Sequence, residues 1–418
     1  MQALPGFRDF LPEPLPHRDA WSADVRRHIF NAWRDTARRY GFREYDGPPL
    51  EPLELFTLKS GEEIVQQLFN FEDKGGRAVA LRPEMTPTLA RLVAGVERHY
   101  RKPIRWFAIP QLFRYEKQQK GRLREHFQFN ADIFGEPGPG ADAELVALLI
   151  DSLRALGLTR EDFVIRLSSR RAWQDFFRAR CQDSSREYAF YQAVDKLERE
   201  KPETTDSLLR DLGSSLADVR AFIEAGQPTG ELQAILDNLA ARGLADFVKI
   251  DYGVIRGLAY YTGAVFEAFD RKGEFRAIAG GGRYDQLVKL VSGGKVDLPG
   301  LGFGMGDVVL AELLKARGLL PGVVPGPDVF VLFESPELTA DSLRLVQQLR
   351  EAGRAVEYPL GPLKGDKQFK RALELGARWT ARVESDPQGV RQVRLKNLST
   401  RAEQVVGPDA VLQQLAGE

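Results

Sequence analysis

Between Arg114 and Asp132 the chain spaces polar side chains in a way that suits a small polar ligand joined to a polyphosphate. Arg124, His126, Gln128, Asn130 and Asp132 alternate with Phe127, Phe129, Ala131 and Ile133. On an extended strand this period puts the polar groups on one face and an apolar strip on the other. Polar groups taken out of water cost free energy unless paired, and a ligand is one such partner. Upstream, Arg114 and Glu116 share a face in the same way, and Lys117-Gln118-Gln119-Lys120-Gly121, leading to Arg122, reads as a hairpin loop carrying cations. The same alternation also fits a sheet with one face in water, which is common in antiparallel pairs.

Two further segments bear on chemistry. Ile255 to Gly263 places Arg256 just before a strand, where a guanidinium can stabilise charge developing on a phosphate. Gly280-Gly281-Gly282-Arg283-Tyr284-Asp285 lets backbone come close to a ligand, although a glycine run before a helix also serves as a plain turn. Neither segment follows the Walker or the dinucleotide glycine pattern. His17, His28, His99 and His126 show no metal-ligand spacing, so no protein-bound metal is expected.

These groups need elements to hold them. Trp21, Val25, His28, Ile29, Ala32, Trp33 and Thr36 recur at helical spacing and predict a long helix ending near Gly41. An extended segment from Leu50 to Leu55 follows, then a strand from Ala78 to Leu81 running into Arg82-Pro83-Glu84-Met85-Thr86 and a helix from about Thr88 to Tyr100. After the polar hairpin, Gly135 to Gly140 predicts a turn and Ala143 to Leu156 a helix. A charged, helical stretch at about 168–245 reads as an inserted module. Strands are predicted at Val248–Asp251, Tyr260–Phe269 and Phe275–Ala279, with a helix from Tyr284 and another opened by Gly300–Gly306.

Residues 320–327, rich in Pro and Gly, predict a linker between a core at 1–319 and a domain at 328–418. The latter alternates strands (Asp328–Phe333, Ala355–Tyr358, Thr380–Val383) with helices (Ala340–Ala352, Gly365–Leu375), as a small α/β sheet does. Lys364, Lys367, Lys370 and Arg371 on or beside its second helix form either a phosphate-contacting patch or a solvated face. The formal net charge over 418 residues is zero, so a nucleic-acid partner must be met by local basic patches. Cys181 is the only cysteine, which excludes an intrachain disulfide and fits a reducing cytoplasm. The N-terminus carries no secretory pattern and no stretch is long and apolar enough to span a bilayer, so a cytoplasmic location is expected.

In order and spacing these segments resemble the histidyl-tRNA synthetases of class II over nearly the whole chain. Pro5 to Pro12 is similar to the family's N-terminal signature, Tyr40 to Leu55 to motif 1 (a dimer element), and Phe113 to Asp132 to motif 2. Arg256 to Gly263 and Ala279 to Asp285 resemble the two histidine-specific motifs, Gly300 to Gly306 the start of motif 3, and 328–418 the anticodon-binding domain. The resemblance implies an α+β fold, with an antiparallel class II sheet of about six strands, flanking helices and the helical insertion. It also implies a homodimer, with ATP, histidine and tRNA as substrates and Mg2+ accompanying ATP.

The resemblance implies roles as well. Glu84, helped by Thr86, would pair with the substrate ammonium, Asp132 would accept the imidazole N–H, and Tyr261, beside Tyr260, would meet the other ring nitrogen. Gln128 would lie near the amino group. Arg114 and Arg256 would flank the α-phosphate as the catalytic pair, Glu116 would meet the adenine amino group and Arg122 the γ-phosphate. The sequence departs from the family pattern twice. Val309 stands where motif 3 ordinarily carries an arginine, and no basic residue follows Gly306 before Lys315. His126-Phe127 reverses the more usual order, so that His126, not Phe127, is expected against adenine. A regulatory paralogue resembling the histidine-sensing subunit of ATP phosphoribosyltransferase is the alternative reading, and a binding module without chemistry a third.

Overall fold

The computed structural model describes residues 3–17, 20–60, 62–115, 123–195, 197, 200–255, 261–322, 326–361 and 363–416. The chain divides into two compact units, Met1–Pro321 and Gly322–Glu418.

The first unit is organised by one sheet, with nine strands among the described residues. In chain order these are β1 (Arg43–Glu44), β2 (Ile104–Ala108), β3 (Gln111–Phe113), β4 (Glu125–Phe134), β5 (Phe163–Ser169), β6 (Val248–Ile250), β7 (Ala264–Asp270), β8 (Ala279–Arg283) and β9 (Gly300–Gly306). Their spatial order is β6-β5-β7-β8-β9-β4-β2-β1, with β3 paired to the start of β4. The middle run from β5 to β2 is antiparallel, and β6 and β1 add parallel strands at the edges.

The alternation in β4 decides which way the sheet faces. Phe129, Ala131 and Ile133 are fully buried on the back, where the helices Ala23–Arg39 and Pro139–Arg154 cover them. Trp33 stacks on Phe129 at 5.6 Å between ring centres. Ser22 caps the first of these helices, its side chain accepting from the Val25 N–H. Leu145, Val146, Leu148 and Leu149 of the second are wholly buried, as expected of a helix lying across the middle of a sheet.

Several expectations need correction. Gly300–Gly306 is not a helix opening but a central strand. Leu301, Phe303 and Met305 point into the core, and the helix begins only at Asp307. Likewise Gly280–Gly282 lies inside β8 rather than in a turn, and the strand predicted at Phe275–Ala279 starts at Ala279. The helix predicted from Tyr284 is a short one at Leu287–Val291. The expected extension from Leu50 to Leu55 ends at Pro52, where a helix at Leu53–Ser60 begins. The sheet also exceeds the expected six or so strands, because the short edge strands carry too few residues to show periodicity.

The inserted module consists of helices Arg170–Arg178, Glu187–Asp195, Pro202–Asp211, Leu216–Ala225 and Gly230–Ala241. In the second unit, β10 (Val329–Leu332), β11 (Val356–Glu357), β12 (Trp379–Ser385), β13 (Arg391–Asn397) and β14 (Glu403–Val406) form a sheet ordered β11-β10-β12-β13-β14. Its first three strands are parallel, and β13 and β14, which the sequence reading did not predict, complete it antiparallel. Lys364, Lys367, Lys370 and Arg371 are exposed on or beside the helix Gly365–Glu374, where Glu374 lies 3.8 Å from Lys370 and 3.9 Å from Arg371. No helix among the described residues is long and apolar enough to cross a membrane.

Candidate active site

The open face of the sheet has a floor of glycine. Gly302 lies between Asp132 of β4 and Gly282 of β8, and Gly304 between Asn130 and Gly280. A Cβ at Gly302 would overlap the Asp132 carboxylate, and one at Gly304 would lie 2.6 Å from Gln128 Cδ. Glycine at both positions therefore lets the polar side chains of β4 lie flat across β9.

At the inner end of the floor, Asp132 is buried and accepts a hydrogen bond from the Tyr284 hydroxyl. Burial pushes the carboxyl up to about 7, against the opposing effect of that bond. Tyr261 is held neutral by burial, and the charges of Glu84, Glu267 and Asp132 push in the same direction. Glu84, Asp132 and Tyr261, distant in sequence, thus share one electrostatic environment. Thr262 fixes the strand entry beside Tyr261. Its N–H donates to the Arg283 carbonyl at 2.7 Å and its hydroxyl donates to Asp285 at 3.0 Å. Glu84 rides on a loop that two arginines clamp. Buried Arg82 donates to the carbonyls of Gly47 (2.6 Å) and Gln111 (3.1 Å), and Arg114 Nε donates to the Pro83 carbonyl at 3.0 Å. Thr86 is half-buried at the first position of the helix Thr86–Val96.

The outer end opens into a cavity of about 250 Å³ whose wall includes Arg114, His126, Gln128, Arg276 and Val309. His126 is driven down to about 3 by burial and then by the charges of Arg114 and Arg8, so its imidazole is neutral. Phe127 lies on the other face, 6.0 Å from Phe10 and 5.2 Å from Phe30. Arg124, expected beside His126, instead precedes β4 and lies over the Tyr115 ring at 4.6 Å, with its N–H donating to the Gly6 carbonyl. Glu116, Arg122, Arg256 and Tyr260 lie outside the described residues, as does the whole cationic loop from Lys117 to Gly121.

The profile of the family described as Histidyl-tRNA synthetase matches residues 6–306. A histidine–tRNA ligase of Opitutus terrae is 46% identical, covering 96% of this chain and 95% of the relative. The chain belongs to the histidyl-tRNA synthetase family. The fold agrees with that of a solved histidyl-tRNA synthetase from Nostoc sp. PCC 7120 (TM-score 0.78, 23% identity, 99% of this chain and 98% of the other). It also agrees with that of a Bacillus halodurans protein described as an ATP phosphoribosyltransferase regulatory subunit/histidyl-tRNA synthetase (TM-score 0.70, 23% identity, 88% and 96%). The fold is therefore common to both readings of the sequence.

Two buried ion networks, invisible to sequence reasoning, hold the floor in place. Arg8 of the N-terminal segment donates to Glu125 at 2.6 Å and to Asp307 at 2.9 Å, and Asp307 also accepts from the Phe127 N–H. This ties the start of β4 to the first turn of the helix after β9. Arg283 donates to Asp142 at 2.5 Å and to the carbonyls of Glu136 and Gly138, locking the end of β8 to the helix Pro139–Arg154. Partners separated by 299 and 141 residues leave no local signal. Tyr284, also missed, sits in the Gly-Gly-Arg-Tyr-Asp segment that the sequence did single out.

Proposed function

We propose that this chain ligates histidine to its tRNA in two steps, through a histidyl-adenylate. The reading rests above all on one juxtaposition: a buried carboxylate and tyrosine at the inner end of a glycine floor, opening onto a cavity carrying two arginines at the outer end. A pocket built on buried polar partners rejects analogues that lack them, which suits selection of an imidazole.

Asp132, with one oxygen taken by Tyr284, accepts the imidazole N–H on the other, and Tyr261 meets the second ring nitrogen, with Tyr260 beside it. Glu84 and Thr86 take the ammonium, and Gln128 lies near it. ATP occupies the outer end with its adenine against His126 and Glu116, its α-phosphate between Arg114 and Arg256, and its γ-phosphate near Arg122. A histidine carboxylate oxygen attacks the α-phosphorus, and the bond to the leaving pyrophosphate breaks. A terminal ribose hydroxyl of the tRNA then attacks the acyl carbon and loses its proton, and AMP leaves. The residues act by positioning and by stabilising charge rather than by covalent chemistry.

Mg2+ is expected to arrive on the ATP phosphates, since it keeps several waters and needs only one or two carboxylates. Residues 1–319 serve as the catalytic core, 320–327 as the linker and 328–418 as the anticodon-binding domain. The active form is a cytoplasmic homodimer, with motif 1 at its interface.

Val309 favours the second reading, a histidine-sensing regulator, because it removes a cation that activation ordinarily uses. Histidine-dependent ATP–pyrophosphate exchange decides between them. Exchange that collapses in Arg256→Ala, followed by charging of tRNA, supports the synthetase. Calorimetric histidine binding without exchange supports the regulator.

A further inference from the structure

Val309 sits in the first turn of the helix Asp307–Ala316 and lines the outer cavity with an apolar side chain. The same cavity is bounded on another side by Arg276, in the connection between β7 and β8, three residues before β8 begins. Gly280, Gly304 and Gly306 lie in the lining together with these side chains. Within β8 and β9, Gly280 pairs with Gly304, so two of these positions face each other across the floor without side chains. Among the described lining residues the charged groups are Arg114 and Arg276. Asp307, the acid nearest Val309 in sequence, is turned to Arg8 at 2.9 Å and does not line the cavity. The cavity therefore presents two guanidiniums from different elements, and guanidinium geometry matches phosphate oxygens in pairs.

We propose that Arg276 supplies the ATP-binding cation that Val309 does not, gripping the triphosphate across the glycine floor from Arg114. This rests on the reading of the cavity as an ATP site. Arg276 is exposed and lies outside the strands, so its replacement should leave the fold intact. The cation has moved from the motif 3 helix to a neighbouring connection while still bordering the same space.

The test measures ATP binding directly by calorimetry, alongside histidine-dependent pyrophosphate exchange, so that binding is read even if exchange is absent. Arg276→Ala should weaken ATP binding by roughly tenfold to a hundredfold, the value of one or two charge-assisted hydrogen bonds. In exchange, the KM for ATP should rise accordingly while the KM for histidine stays within about twofold. Arg276→Lys, which keeps the charge but loses the fork, should fall between. Adding Val309→Arg to Arg276→Ala should restore most of the loss. Unchanged ATP binding in Arg276→Ala, or equal losses for ATP and histidine, would overturn the proposal. Weakened ATP binding in a protein without exchange would uphold the role of Arg276 and sink the synthetase reading instead. A wild-type protein that binds no ATP overturns both.

Discussion

The two ends of the glycine floor treat ionisable groups in opposite ways. At the inner end, burial pushes Asp132 up to about 7 and holds Tyr261 neutral, with the Tyr284 hydroxyl and the charge of Glu84 close by. At the outer end, His126 is driven down to about 3 by burial and by arginine charge, and the cavity wall carries cations. The inner end is buried, and its groups match a small ligand with donors. The outer end presents cations, which suit an anion, and its histidine is a neutral ring rather than a charge. One sheet face can do both because the glycines of β9 leave room for Asp132 at one end and Gln128 at the other.

The largest expected effect comes from loosening the frame of the inner end. Arg283→Met would leave Asp142 buried without its cation, and breaking such a pair costs about 3–5 kcal/mol. Urea unfolding checks this. A loss below roughly 1 kcal/mol would show that the Arg283–Asp142 pair is not what holds β8 to the helix behind it.

Next in size is the pH dependence of the inner end. The folded protein holds the Asp132 proton up to about pH 7, against 3.8 ordinarily. The contribution to stability is therefore fully present below about pH 4 and is lost as pH rises through 7. At 1.36 kcal/mol per unit the span is on the order of 4 kcal/mol in the ligand-free protein. Asp132→Asn should remove this slope, becoming more stable than wild type at pH 8 relative to their difference at pH 4. Parallel stability curves from pH 4 to 8 would mean that Asp132 is solvated and that the inner end is not dry.

Much of this contrast is legible in the sequence, for a physical reason. The period of β4 reveals its polar face because the other face must be buried, and Asp132, Gln128 and His126 follow from it. Gly300–Gly306 carries the same period in Leu301, Phe303 and Met305. The glycines between them read as the opening of a helix because nothing local reveals that Asp132 and Gln128 need the space. The ion networks of Arg8 and Arg283 are set by tertiary packing alone. In the second unit the parallel strands are legible from their alternation with helices, whereas β13 and β14, whose few apolar residues stand among Arg, Lys, Gln and Glu, were not predicted.

The floor itself can be probed one position at a time. Gly302→Ala should weaken histidine binding by roughly a hundredfold, about 2.7 kcal/mol, because its methyl group displaces the Asp132 carboxylate. ATP binding at the outer end should stay within about threefold. Gly306→Ala is the matched control, since open space surrounds a Cβ there. Equal losses from the two variants would mean that the glycines serve strand geometry rather than room for side chains.

The smallest effect sharpens the outer end. If His126 contributes a neutral ring against adenine, His126→Ala should raise the KM for ATP about threefold to tenfold, the value of an aromatic contact beyond its area. His126→Phe should keep nearly wild-type affinity, since it restores the ring without the nitrogens. With the imidazole held neutral down to about pH 3, the KM for ATP in wild type and in His126→Phe should follow the same course between pH 6 and 8. A wild-type change across pH 6–7 that vanishes in His126→Phe would place the titration of His126 near its ordinary value. The outer end would then be wet, and neither burial nor the charge of Arg114 could be holding the imidazole uncharged.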